Sequence, residues 1–83
     1  MERLDGNAAA GLLQEIFARE MTVAIETCAG CGTSEALGAV HVYMGGPGTV
    51  LRCPHCTTIL MCIVRVGEEL HVDVGGLRRI ELR

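Results

Sequence analysis

The sequence predicts a small α+β domain in which one N-terminal helix packs on an antiparallel β-sheet. Three observations predict this class: helical spacing of apolar residues near the start, alternation with a period of two after Met21, and two Cys-x-x-Cys pairs. With 83 residues the chain is expected to form a single domain. The helix is expected within residues 1–20, and the sheet, with both cysteine pairs, within residues 21–83.

The helical pattern lies in residues 8–17. Apolar residues recur there at spacings of three and four and form one face, which consists of Ala9, Leu12, Leu13, Ile16 and Phe17. Asp5 or Asn7 can cap the N-terminus, because either side chain accepts a hydrogen bond from an unpaired backbone N–H. Gly6 and Gly11 weaken a helix, so this helix is expected to persist by packing its apolar face on the sheet.

Period-two alternation and β-branched residues mark six candidate strands, separated by glycine-rich turns or by the cysteine pairs. They cover residues 22–28, 36–44, 49–52, 58–66, 70–74 and 79–83. The N-terminus lacks the pattern of a signal peptide, and the longest apolar run, residues 59–64, is too short to span a bilayer. We therefore expect a cytoplasmic protein without a membrane segment, in which disulfides are disfavoured and cysteines are more often metal ligands.

The cysteine pairs have the spacing C-x2-C-x21-C-x2-C, just beyond the usual window for a zinc ribbon. A hairpin in the intervening segment can bring Cys53 and Cys56 back to Cys28 and Cys31. Four thiolates satisfy the tetrahedral preference of Zn²⁺ and leave no open position for substrate water. The spacing thus predicts one structural Zn²⁺ per chain. A thioredoxin-like redox motif fits poorly, because strand-like sequence follows both pairs.

The two pairs, CAGCG and CPHCT, resemble the knuckles of zinc-ribbon and rubredoxin-like folds. Thr57 stands where rubredoxins carry glycine, and the chain has one Phe, one Tyr and no Trp, unlike the aromatic cores of rubredoxins. Both departures disfavour iron-based electron transfer. Together with the N-terminal helix, the pattern is similar to a family of small uncharacterised actinobacterial zinc-ribbon proteins. That resemblance implies a metal site and no activity. With the elements above, the predicted fold is a zinc ribbon with one N-terminal helix packed on an antiparallel β-sheet.

Other reactive side chains have simpler interpretations. Cys62 alternates with Leu60 and Val64 and is expected to be a buried small hydrophobe, the alternative being a reactive thiol. His55, inside the second knuckle, is expected to face solvent. His41 and His71 lie on polar strand faces without a nearby nucleophile, so no catalytic residue is predicted.

Charge bears on the choice of partner. The chain has seven Arg and no Lys against ten acidic residues, a net charge of −3. Four arginines are candidate nucleic-acid contacts: Arg52, Arg65, Arg78 and Arg79. Binding to nucleic acid is nevertheless disfavoured, because the chain is acidic and has no aromatic platform for stacking bases.

The sequence therefore predicts a non-enzymatic zinc-binding protein whose sheet meets a protein partner or a second copy of itself. A homodimer is expected, because Ile59, Met61 and Ile63 would form an apolar face that one short helix does not cover. The alternatives are a nucleic-acid-associated zinc ribbon of the transcription or translation type and, less favoured, a rubredoxin-like electron carrier.

Overall fold

In the computed structural model, which describes residues 3–82, the chain forms one α-helix and eight strands in two antiparallel sheets. Helix α1 spans Ala10–Phe17 and follows a 3-10 turn at Gly6–Ala9. The strands are β1 (Arg3–Asp5), β2 (Ile25–Cys28), β3 (Ser34–Ala36), β4 (His41–Gly45), β5 (Gly48–Arg52), β6 (Ile59–Val66), β7 (Glu69–Asp73) and β8 (Leu77–Glu81). The predicted fold class, a small zinc-ribbon-like α+β fold with one helix on antiparallel strands, is confirmed.

The strands form two sheets where the sequence predicted one. The larger sheet has the order β1-β4-β5-β6-β7 and the smaller the order β3-β2-β8. A 3-10 turn at Leu37–Ala39 divides the predicted strand 36–44, because the chain crosses there from β3 in one sheet to β4 in the other. Backbone N–H groups of Leu37 and Gly38 bond to the carbonyls of Ala24 and Thr22, both at 2.9 Å, and hold this crossing.

The N-terminal segment is less helical than predicted. Within residues 1–20 the structure has strand β1, the 3-10 turn and only eight α-helical residues; Met1 and Glu2 lie outside the described residues, as does Arg83 of the last predicted strand. The Asp5 side chain accepts a hydrogen bond from the Asn7 backbone N–H at 3.1 Å, which caps the turn as predicted. A Cβ on Gly6 would collide with the Leu37 carbonyl, so the close approach of these two turns requires glycine.

Helix α1 covers one face of the larger sheet, which we call the inner face. The inner face consists of Val42, Leu51, Met61 and Ile63, which are all buried with Leu13 of the helix in the hydrophobic core. The predicted exposure of Met61 and Ile63 is therefore wrong, since they are 0% and 2% exposed, whereas Ile59 is 44% exposed. Strand β6 is apolar on both faces, so its alternation does not reveal which face the helix covers.

Among residues 3–82, no helix has both the length and the apolar character needed to cross a membrane.

Candidate metal centre

Two knuckles with the same backbone pattern form the centre. Strand β2 ends at Cys28, and Cys53 directly follows β5. In the first knuckle the Cys28 N–H bonds to the Thr33 carbonyl, and the Gly32 N–H bonds to the Cys28 carbonyl, both at 2.9 Å. In the second knuckle Cys53 makes the same bonds with Thr58 and Thr57 at the same distance. Each knuckle is a tight turn that aims two sulfurs at one point.

The four sulfurs of Cys28, Cys31, Cys53 and Cys56 all lie within 4.8 Å of one another. They approach crosswise: Cys28 Sγ is 3.6 Å from Cys56 Sγ, and Cys31 Sγ is 3.7 Å from Cys53 Sγ. A tetrahedral ion with metal–sulfur bonds of about 2.3 Å separates its ligands by about 3.8 Å. The sulfurs thus stand close to the positions that a tetrahedral metal requires, and the group could hold a metal ion.

Backbone N–H groups and threonine hydroxyls make hydrogen bonds with the sulfurs. The Gly30 N–H points at Cys28 Sγ at 3.3 Å, and the His55 N–H points at Cys53 Sγ at 3.4 Å. Thr33 Oγ1 lies 3.3 Å from Cys31 Sγ, and Thr58 Oγ1 lies 3.0 Å from Cys56 Sγ. These two threonines were not predicted from the sequence, although both knuckles read Cys-x-x-Cys-x-Thr.

These contacts divide the cysteines by acidity. Hydrogen bonds from the side chain and backbone of Thr33 lower the pKa of Cys31 to about 6. The equivalent bonds from Thr58 lower the pKa of Cys56. Burial acts oppositely at Cys53, whose pKa it raises. Hydrogen bonding therefore favours the thiolate forms of Cys31 and Cys56, whereas burial disfavours a thiolate at Cys53 unless a positive charge compensates.

Two backbone positions show how tightly the knuckles are built. A Cβ on Gly30 would overlap the Thr58 hydroxyl and touch Cys56 Sγ at 3.3 Å, so glycine lets one knuckle rest on the other. Gly32 and Thr57 occupy equivalent positions with φ of +76° and +65°. Thr57 therefore adopts the left-handed conformation that rubredoxin knuckles give to glycine and that is costly for a β-branched residue.

A buried acidic pair lies next to the first knuckle. Glu26 and Glu35 are cross-strand partners on β2 and β3, and Glu26 is fully buried. Neither carboxylate oxygen of Glu26 has a hydrogen-bond partner among the described residues. Burial, followed by the charges of Glu35 and Cys31, raises the pKa of Glu26 to about 7. No sequence pattern marked Glu26, because an isolated Glu within a strand is normally assigned to the solvated face.

The histidines and the fifth cysteine lie outside the sulfur cluster. His55 is half-exposed, and its Nε2 lies 3.4 Å from Glu35 Oε1, so it lies beside the acidic pair as well as facing solvent. His71 Nε2 is 3.3 Å from Glu69 Oε2 at the surface, and His41 is half-buried on β4. Cys62 is half-buried instead of fully buried, because it lies on the face of the larger sheet that the helix does not cover.

The four arginines do not form one continuous surface. Arg52 and Arg65 lie at opposite ends of the β5–β6 ladder, and Arg78 and Arg79 belong to β8 in the smaller sheet. Arg52 donates to the Thr57 carbonyl at 3.0 Å and thereby braces the second knuckle. Arg65 contacts both carboxylate oxygens of Glu15 at 3.0 Å and ties β6 to the helix. Arg79 lies 3.5 Å from Glu81.

Comparison with known proteins yields one assignment. A family model described as a family of unknown function, DUF6510, matches residues 1–83. Searches of curated proteins and of solved structures find no match to the chain. The family match agrees with the predicted resemblance to an uncharacterised family.

Proposed function

The chain belongs to DUF6510, a family of unknown function, and we propose that it is a non-enzymatic protein in which a structural zinc site of four cysteines stabilises a β-sheet used for protein interaction or self-association. The observation that carries this proposal is the origin of the four sulfurs. The pair Cys28 and Cys31 comes from the smaller sheet, and the pair Cys53 and Cys56 comes from the larger one. An ion bound by all four joins the two sheets.

The donor set favours zinc. Four sulfur donors in a tetrahedral arrangement suit Zn²⁺ or iron, whereas Mg²⁺ and Ca²⁺ prefer oxygen ligands. Zinc with four protein thiolates has no position left for water or substrate, which is the arrangement of structural sites. Cys28, Cys31, Cys53 and Cys56 would hold the ion, and the N–H groups of Gly30 and His55 would share the negative charge of the sulfurs.

The need for such a site follows from the small core. The buried hydrophobic residues are mostly Ala, Val, Leu, Met and Cys, and the single Phe is only half-buried. Small domains with little core volume often depend on a metal or a disulfide for stability. We place the protein in the cytoplasm as part of this proposal, because cysteines in a reducing compartment are more often metal ligands than disulfide partners.

Native mass spectrometry of the purified protein tests the proposal, with an absorption spectrum to identify the metal. We expect one Zn²⁺ per chain and a colourless protein. A red protein with ferric thiolate bands would favour the electron-carrier alternative instead. A folded protein that carries no metal, even after expression with added zinc, would overturn the proposal. Retention on nucleic acid that weakens with salt would favour the nucleic-acid alternative.

A further inference from the structure

The larger sheet has a second face, on the side opposite the helix, which we call the outer face. Val50, Cys62 and Val64 lie at its centre and are half-buried, yet none of them packs against the hydrophobic core. Tyr43, also half-buried, lies beside Val50 on the neighbouring strand. The outer face therefore presents apolar side chains that the described part of the chain does not use in its core.

One row of residues crosses this face through all five strands. The strand register pairs each residue with the next in the series Arg3, Tyr43, Val50, Cys62 and Asp73. Directly paired residues project from the same face of a sheet. The row thus begins with a positive charge on one edge strand, passes over three half-buried apolar side chains, and ends with a negative charge on the other edge strand.

The two terminal charges are available to a partner. Arg3 and Asp73 are both exposed, and neither makes an ion pair within residues 3–82. The Asp73 carboxylate accepts a hydrogen bond from the Gly75 backbone N–H at 2.8 Å, which holds it at the edge of the sheet. The ends of the row are therefore opposite in charge, and each lacks a counter-ion in the part of the chain that the structure describes.

We propose that a second copy of the chain packs on this outer face, with a two-fold axis in the interface parallel to β5. The inference rests on the proposed function and names the surface used for self-association. Rotation about that axis reverses the strand order, so Arg3 lies over the partner's Asp73 and Tyr43 over the partner's Cys62. Val50 lies on the axis and meets its own copy. Such an interface is self-complementary, as a two-fold dimer requires.

The charges select this axis over the alternative. A two-fold axis perpendicular to the strands would place Arg3 over the partner's Arg3 and Asp73 over the partner's Asp73, which opposes like charges. The parallel axis forms two Arg–Asp contacts around an apolar centre, and a Tyr ring beside a sulfur is a favourable contact. It also brings Arg52 near the partner's Arg52, but each guanidinium is engaged within its own chain, where it donates to the Thr57 carbonyl and lies over the Tyr43 ring, 6.0 Å from the centroid.

Charge reversal tests the arrangement. Sedimentation equilibrium on the zinc-loaded protein should give twice the chain mass of 8.8 kDa. Arg3→Glu and Asp73→Arg each convert both contacts to like-charge pairs and should raise the dimer dissociation constant about tenfold or more. The double variant R3E/D73R restores opposite charges and should restore the wild-type dissociation constant. Arg78→Glu on the smaller sheet is the matched control and should leave association unchanged.

The proposed interface would be overturned by a wild-type protein that stays monomeric, or by a double variant that dissociates as readily as the single ones. A folded complex with a different protein on this face, in place of the dimer, would also overturn it. Circular dichroism on each variant separates dissociation from misfolding. Metal content from the same preparations keeps the two proposals apart, since a zinc-loaded monomer would reject the interface and leave the zinc site standing.

Discussion

Cys28 Sγ lies 3.6 Å from Cys56 Sγ, although Cys28 ends a strand of the smaller sheet and Cys56 follows a strand of the larger one. The second contact, between Cys31 and Cys53, crosses in the same way at 3.7 Å. Each close sulfur pair thus takes one member from each knuckle. As thiolates, the four sulfurs would repel one another. A positive ion between them removes this repulsion and so joins the two sheets.

Replacing any one of Cys28, Cys31, Cys53 or Cys56 by Ser should lower both zinc content and the free energy of unfolding. Loss of a structural metal or its ligand is among the few single changes that cost more than about 4 kcal/mol. Elemental analysis and thermal unfolding measure the two effects. Cys62→Ser is the matched control, and it should keep its zinc. Zinc loss in that variant with retention in the other four would reverse the ligand assignment.

Removing the metal should unfold the sheets. Metal binding to thiolates contributes directly to folding free energy in small domains, and it weakens as the thiolates protonate. A strong chelator at mildly acidic pH should therefore abolish the β-sheet signal in circular dichroism, and added Zn²⁺ at neutral pH should restore it. An apo protein that keeps a dispersed NMR spectrum would show that the metal is an accessory to a fold that stands without it.

The hydroxyl group of Thr58 should contribute more to metal affinity than the size of the Thr58 side chain does. Thr58→Val keeps the shape of the side chain but removes the hydrogen bond to Cys56 Sγ, 3.0 Å away. Changes to groups that support metal ligands typically weaken metal affinity by about 10- to 100-fold. Competition with a chromophoric chelator measures this loss. Thr22→Val, a half-buried threonine outside the knuckles, is the comparison, and an equal loss there would mean that the hydroxyl has no specific role.

Thr57 has a left-handed backbone conformation, so replacing it with glycine should stabilise the protein. Thr57→Gly should raise the free energy of unfolding by about 1 kcal/mol, because a non-glycine residue with positive φ is strained by about that amount. The equivalent change in the other knuckle, Gly32→Ala, should lower it by a similar amount, since φ there is +76°. Urea unfolding of both variants checks the pair. Identical stability in all three proteins would mean that neither position carries strain.

Burial of Glu26 predicts a pH dependence. Its pKa is about 7 in the folded chain against 4.5 for a free carboxyl, so the folded state holds a proton that the unfolded state has released. The stability associated with this proton is full below pH 4.5 and is lost as pH rises through 7. Four thiolates with one Zn²⁺ sum to a charge of about −2, which keeps the field at Glu26 negative when the metal is bound.

Glu26→Gln should therefore gain stability relative to the wild type as pH rises. Between about pH 5.5 and about pH 8 the difference should grow by about 2 kcal/mol, the value expected for a shift of this size. Urea unfolding of zinc-loaded proteins at both pH values measures it. The exposed Glu68→Gln variant should follow the wild type. A constant difference between Glu26→Gln and the wild type would show that Glu26 stays charged in the folded protein.

The cluster of four cysteines could be predicted because it depends on residue types and spacing alone. Two short motifs mark Cys28, Cys31, Cys53 and Cys56, and a hairpin between the motifs brings the two pairs together whatever its detailed geometry. The supporting threonines were also visible, but only a comparison of the two knuckles with each other reveals the shared Thr at the second position after each pair. Glu26 could not be found in this way, because its burial depends on which strands pair.

The alternation of apolar and polar residues could not predict which strands belong to which sheet. A period of two identifies strands but not their neighbours, so the sequence gives no reason to pair β2 with β8 in place of a strand of the larger sheet. The same limit explains the error at Met61 and Ile63. With apolar residues on both faces of β6, only the position of the helix determines which face is buried, and that position follows from tertiary packing.

Strand β2 takes its two neighbours from very different distances along the chain. Thr27 pairs with Ser34 on one side and with Arg79, fifty-two residues later, on the other. Contacts between residues so far apart form slowly, because the closing of long loops costs chain entropy. On the ribosome all four cysteines emerge before β8 does. The knuckles can therefore meet around a metal in the nascent chain, and the arrival of β8 then completes the smaller sheet as a late step of folding.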